Sequence, residues 1–279
     1  MKNPWEEINL SDYENHMKLD KVMQLQAMNK MMKEQFYKYP VKTIMILGVA
    51  GGNGLEHIDA QIIERIYGVD INKKYLQECA ARYEKLNGIL ECFCVDLSDE
   101  NTILPYADIV IANLLVEYIG YECFKKVITQ IKPKYVSCII QINIDDSFVS
   151  DSPYLHVFEH LDIVHHHMEE DELVASMENI SYQLLSKSEY FLPNGKKLVQ
   201  IDFQLKAYPK LCKPLLSDKI NNGGFSYGEE RKESHEAADR GARDQRRRRR
   251  TGAGEGIDRR TDPGMHGRGT GRRPRIQQV

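Results

Sequence analysis

The chain has 279 residues, 42% of them apolar, enough for one substantial core and a domain of about 200 residues with an appendage. Its formal net charge of −3 conceals two unlike parts: residues 1–207 hold 20 Lys and Arg against 31 Asp and Glu, and residues 208–279 hold 18 against 10. No run approaches the roughly 18 apolar residues of a membrane span, the first ten residues lack an export signal, and the six cysteines form no CxxC pair, which points to a reducing, cytoplasmic setting.

Ser11-Asp12-Tyr13-Glu14 has the spacing of a capping box, and Met17, Val22, Leu25, Met28, Met32 and Phe36 follow at near-helical intervals until Pro40. The pattern predicts one long amphipathic helix over about 11–38, inside an N-terminal helical segment 1–40, with its methionines in the core rather than forming a lid. From 41 onward short apolar runs alternate with helical stretches: Val41–Leu47 then 53–65, Ile66–Val69 then 72–86, Ile89–Val95, Ile109–Ala112 then 117–131, and Tyr135–Ile142. Such alternation predicts an α/β fold with a mostly parallel sheet. Tyr182–Phe191 and Leu198–Leu205 flank Leu192-Pro193-Asn194-Gly195-Lys196, and the Asn-Gly pair predicts a closing antiparallel hairpin, so the domain is expected over 41–207.

After Tyr208 the periodicity disappears, Arg246–Arg250 form an uninterrupted run, and too little apolar material remains to offset the entropy of ordering. Residues 208–279 are therefore expected to be a disordered basic tail. As a genuine extension it would bind RNA or another polyanion weakly and with strong salt dependence. Only Arg65 and Arg82 occur in the first 207 residues, whereas the tail holds 14 arginines, and this abrupt change favours a frameshift or fusion product without a role.

The most informative stretch runs from Thr43 to Ile58. An apolar strand enters a turn of small residues (Gly48, Ala50, Gly51, Gly52, Gly54) and then an expected helix, which lets a ligand approach the backbone while helix N–H groups point at it. Eighteen residues after Gly52, the strand Ile66-Tyr67-Gly68-Val69 ends in Asp70, placed to accept hydrogen bonds from both hydroxyls of a ribose. A third strand ends in Val95-Asp96-Leu97, and a fourth segment reads Asp108-Ile-Val-Ile-Ala-Asn113-Leu-Leu-Val-Glu117-Tyr118.

In this order and spacing the four elements resemble the class I S-adenosylmethionine-dependent methyltransferases, in particular small stand-alone members, over about 41–205. The resemblance implies a Rossmann-like fold and S-adenosylmethionine as cofactor. It also implies that Gly48, Ala50 and Gly52 lie beside the methionine part, Asp70 holds the ribose, Asp96 lies near the adenine amino group with Leu97 beside it as a packing or backbone contact, and Asn113 opens a loop facing cofactor and substrate. Ala50 replaces the family's middle glycine, and Ile46 stands where an acid is common. A dinucleotide loop would need glycines at 50 and 53, where Ala50 and Asn53 stand, and no G-K-[ST] of a P-loop follows.

Methyl transfer needs a general base only for an acceptor protonated at working pH, and Glu117, Tyr118 and His57 are the candidates. Glu117 reads equally as a solvated residue starting the next helix, and Tyr13 and Tyr118 as packing aromatics or as faces toward the cationic sulfonium. Asn113-Leu114-Leu115-Val116 lacks the N/D-P-P-Y/F tetrad of amino-group methyltransferases acting on adenine or glutamine, and the acidic domain lacks a basic face for nucleic acid, so a small-molecule acceptor is expected. An RNA or protein methyltransferase, or a non-catalytic cofactor-binding or RNA-binding adaptor, is the alternative. His156, His160, His165, His166 and His167 lie among Glu159, Asp162, Glu169 and Glu170, with His156 and His160 spaced to share a helix face. No Cys accompanies them, so the expectation is a polar, exposed segment before the hairpin, or substrate-facing histidines, with no metal.

Overall fold

The computed structural model describes residues 2–143 and 148–206; the expected tail 208–279 lies outside the described residues. Five strands run parallel, β1 (Thr43–Leu47), β2 (Arg65–Asp70), β3 (Leu90–Cys94), β4 (Ile109–Asn113) and β5 (Tyr135–Ile142). β6 (Tyr182–Phe191) and β7 (Lys197–Leu205) form the antiparallel hairpin, with β7 also antiparallel to β5. The spatial order is β3-β2-β1-β4-β5-β7-β6.

β1 and β4 are almost wholly apolar because both of their faces are covered. Met45 and Leu47 join Val110, Ala112, Phe124 and Val136 on one side, while Ile44 and Ile46 join Phe36, Ile66, Ile109 and Ile111 on the other. That period of two is the strand's own geometry. From β1 the chain order departs in opposite directions, toward β2 and β3 on one side and β4 and β5 on the other. Such a switch point opens a crevice at the carboxyl ends of the strands, where open α/β sheets bind ligands.

The helices are α1 (Leu10–Lys18), α2 (Gln24–Tyr37), α3 (Lys73–Arg82), α4 (Val116–Ile131) and α5 (Glu170–Asn179). The single helix expected over 11–38 is thus two. Leu19 turns extended and Met23 adopts left-handed φ 52, and the Leu19 carbonyl accepts the amides of both Val22 and Met23 at 2.7 and 2.8 Å, forming a tight turn in which Val22 is buried. Asn9, not Ser11, caps α1, accepting the Ser11 amide at 2.9 Å, while Glu14 pairs with Arg82 instead of closing a capping box. The methionines Met17, Met28, Met31 and Met32 are buried, as expected of core residues.

No α-helix spans 53–65, contrary to expectation; a 3-10 turn at Leu55–His57 is followed by irregular chain back to β2. Tyr37 of α2 satisfies backbone groups of this connection, donating to the His57 carbonyl at 2.7 Å and accepting the Asp59 amide at 2.8 Å, while Asn29 donates to Asn53 Oδ1 at 3.0 Å. Buried Leu55 and Ile63 anchor it in the core. The helix expected over 72–86 ends at Arg82 and is followed by a 3-10 turn at Glu84–Leu86. α4 is broken at Gly120, whose φ of 72 and ψ of 164 separate a first turn from the remainder. α5 occupies part of the segment expected to be exposed: Leu173 and Met177, one turn apart, bury into the core although Glu170, Asp171 and Glu172 open the helix.

Candidate active site

At the crevice, the turn after β1 bends onto β2, with the amides of Gly48 and Val49 both donating to the Val69 carbonyl at 2.8 and 3.1 Å. Gly48 has φ 70, Ala50 φ 46 and Gly52 φ 83, so the turn takes left-handed backbone at alternate positions. Asp70 ends β2, and its carboxylate accepts the Ala50 amide at 2.9 Å on one oxygen and the Asn72 amide at 2.8 Å on the other. Asn72 in turn caps α3, accepting the Lys74 amide at 3.0 Å, and donates to the Trp5 carbonyl at 2.9 Å. Turn, strand end, helix start and N-terminal segment are thereby fixed to one another. Burial raises the Asp70 carboxyl to about 6, against the opposing effect of the backbone hydrogen bonds from Asn72, Ala50 and Ile71.

A pocket open to solvent is lined by Gly48, Ala50, Asp70, Asp96, Leu97 and Asn113, with Trp5, Tyr13 and Tyr118 also on its wall. Asp96 is exposed and accepts the Ser98 amide and hydroxyl at 2.8 and 2.7 Å. Asn113 reaches the pocket with its side-chain amide already engaged: it donates to Gln35 Oε1 at 2.8 Å and accepts from Gln35 Nε2 at 3.0 Å. Gly52 does not line the pocket. It is buried behind the turn, where a Cβ would meet Tyr83 Cε2 at 2.6 Å and Cys79 Sγ at 2.8 Å. Ile46 lies in the core, where an acid would be buried.

A second pocket shares Trp5, Tyr13, Leu114 and Tyr118 with the first. Glu117 lines it and is only 4% exposed, so the solvated reading of this residue is incorrect. One carboxylate oxygen accepts the Gln141 amide at a long 3.4 Å, and the other finds no partner among the described residues. Burial pushes the Glu117 carboxyl up to about 7. Tyr118 lines both pockets, its ring edge-on to Trp5 at 4.9 Å. His57 lines neither; its Nε2 bonds Asn29 at 2.8 Å in the irregular connection.

Of the histidine cluster, His165 lines the second pocket together with His16 from α1. Both are held down to about 4, by burial first and then by positive neighbours including Lys196. His156 and His160 are exposed and fall in and beside separate 3-10 turns, Leu155–Phe158 and Leu161–Ile163, so they share no helix face. The His166 ring lies beside Gly120, where a Cβ would meet its Nε2 at 3.3 Å, and His167 faces Glu169 at 2.9 Å. Among the described residues no group of three or more His, Cys, Asp or Glu is placed to hold a metal ion.

Trp5, Gln35 and Asn72 escaped the sequence reading. Asn72 carried a usable signal, an N-cap residue directly before α3; the other two act through long-range packing that local pattern does not encode.

Strand order, the reversed final strand and the turn-to-Asp70 crevice together make this the class I methyltransferase fold, that of the S-adenosylmethionine-dependent methyltransferases. Over 100 residues, 35% of the chain, it is 30% identical to the ribosomal protein L11 methyltransferase of Aquifex aeolicus (strain VF5), and the match spans 38% of that protein's length. No family model matches the chain. Among solved structures, geranyl diphosphate methyltransferase in complex with SAM superposes with a TM-score of 0.50 at 9% identity, over 64% of this chain and 85% of that one. The geranyl diphosphate C-methyltransferase of Streptomyces coelicolor A3(2) gives 0.50 at 9% identity, over 65% and 80%. At such identity the likeness is one of fold.

Proposed function

We propose that the chain is a methyltransferase that uses S-adenosylmethionine and acts on a small-molecule acceptor. The observation that carries this reading is the Asp70 carboxylate at the end of β2, fixed by the Ala50 and Asn72 amides on the wall of an aromatic-sided pocket. An ionised carboxylate offers about four lone-pair sites, and with the Asn72, Ala50 and Ile71 amides on Asp70 capacity remains for a ribose hydroxyl. Gly48 and Ala50 put nothing larger than a methyl group between backbone and ligand, and Asp96 with Leu97 stands at the next strand end, where an adenine would lie. Trp5, Tyr13 and Tyr118 offer ring faces suited to a sulfonium.

When bound, the cofactor supplies an electrophilic methyl group whose transfer leaves a neutral thioether. The residues of this chain bind it and orient it against the second pocket, and positioning of that kind supplies much of such a reaction's acceleration. The second pocket is walled mainly by Trp5, Tyr13, Tyr118, Phe148 and Phe158 around the carboxylate of Glu117, a lining suited to a small acceptor. The Aquifex relative's name gives a protein acceptor as the competing reading. The test is formation of S-adenosylhomocysteine from S-adenosylmethionine with panels of small amines, phenols and acids, and with ribosomal protein and RNA. Turnover with a small molecule, lost in Asp70→Ala, supports the proposal; turnover confined to protein or RNA, or binding without turnover on any acceptor, overturns it.

A further inference from the structure

Resting on the methyltransferase reading above, we infer that the second pocket binds a small amine carried on an apolar or aromatic body, with Glu117 as its anionic partner and the acceptor of its proton. Four shared wall residues place this pocket directly against the proposed cofactor cavity. Its walls include Trp5, Tyr13, Tyr118, Phe148 and Phe158, a surface suited to an apolar body and to a cation held over ring faces.

Charge selects among the possible occupants. Glu117 is buried with one oxygen lacking a partner among the described residues, an arrangement that is costly unless something completes it. The groups around it do not. Tyr13 comes from α1, Gln141 and Cys138 from β5, Tyr118 from the same turn, and the His166 amide donates to the Glu117 backbone carbonyl at 2.6 Å. His16 and His165 stay neutral at physiological pH, and Lys196, whose charge reaches both histidines, does not line the pocket. An ammonium group supplies the missing donor and the missing charge at once, whereas a carboxylate or phosphate would face Glu117 as a like charge.

The same contact prepares the nucleophile. An N–H bond of the ammonium breaks and an O–H bond forms on the free Glu117 oxygen; the bonding pair stays on nitrogen as a lone pair, and both groups leave the transfer neutral. A carboxyl that titrates near neutrality is suited to that exchange.

Calorimetric titration of the full chain, saturated with S-adenosylhomocysteine, with 2-phenylethylamine, 2-phenylethanol and 3-phenylpropionate tests the inference. The amine is expected to bind at least tenfold more tightly than the alcohol or the acid, and Glu117→Gln to abolish that preference while S-adenosylhomocysteine affinity stays within twofold. Equal binding of the three probes, no amine binding, or a preference that survives Glu117→Gln overturns the assignment. The wild-type comparison needs no variant, so a folding defect in Glu117→Gln leaves the test intact. Failure to bind S-adenosylhomocysteine would instead overturn the methyltransferase reading, and that is read from a separate titration.

Discussion

The carboxylate of Asp70 accepts the amide of Ala50 across 2.9 Å, so one side chain both sets the glycine turn and faces the cavity beside it. Removing it loosens the turn and removes the ribose acceptor together. Asp70→Ala is expected to weaken S-adenosylhomocysteine binding by about 2–4 kcal/mol, the worth of one or two charge-assisted hydrogen bonds. Because this carboxyl titrates near 6, wild-type affinity should also fall as pH drops from 7 to 5, and the variant should lose that dependence. Titration at both pH values checks it; unchanged affinity in Asp70→Ala would show that the ribose site is misassigned.

Glu117 makes a separate prediction about stability. Its carboxyl titrates near 7 in the fold against 4.5 ordinarily, so between those values the native state binds more protons than the unfolded chain. Its contribution is therefore fully favourable below pH 4.5, declines as pH rises through 7 and is lost above, a cost of up to about 3 kcal/mol. Tyr13, Tyr118 and Cys138 stay neutral throughout this window, and His16 and His165 titrate below it, near 4. Thermal melts should show Glu117→Gln more stable than wild type at pH 8 and the gain gone by pH 4.5; a gain that does not depend on pH would contradict the burial argument.

The two glycines of the turn should separate stability from binding. At Gly52, φ 83 and backing contacts of 2.6 and 2.8 Å leave no room for a Cβ, so Gly52→Ala should cost about 2–4 kcal/mol of stability. Gly48 lines the cavity and would meet Leu115 at 3.2 Å, so Gly48→Ala should lower cofactor affinity more than Gly52→Ala does. Paired melts and titrations decide; the reverse order would place Gly52, not Gly48, at the ligand.

Gln35 is 1% exposed and ties Asn113 to the core, donating also to Ser137, which donates to Asp202. Gln35→Leu strands these partners and should destabilise the fold by about 1–3 kcal/mol. It should also weaken cofactor binding, because Asn113 begins the loop after β4. A melt unaltered by the substitution would mean that water replaces the lost bonds.

Most of the sheet was legible in the sequence because buried strands write themselves as apolar runs, and Asn194-Gly195 marked the hairpin. Asp70 was legible for the same reason, as an acid closing such a run. The helices were less so. Val22 keeps helical spacing from within a turn, because a buried turn residue and a buried helix residue have the same composition. The stretch 53–65 lacks a helix because α2, remote in sequence, satisfies its polar groups. Glu117 reads in the sequence either as a base or as a surface residue, since nothing local announces that Tyr13, Tyr118 and Gln141 close over it.

Parallel calorimetric titration of the full chain with S-adenosylmethionine, S-adenosylhomocysteine and NAD tests the central claim most directly. Micromolar binding of both adenosyl compounds with none of NAD is the predicted result. Absence of adenosyl binding would contradict the cofactor assignment at Asp70 and leave the fold without the activity proposed for it.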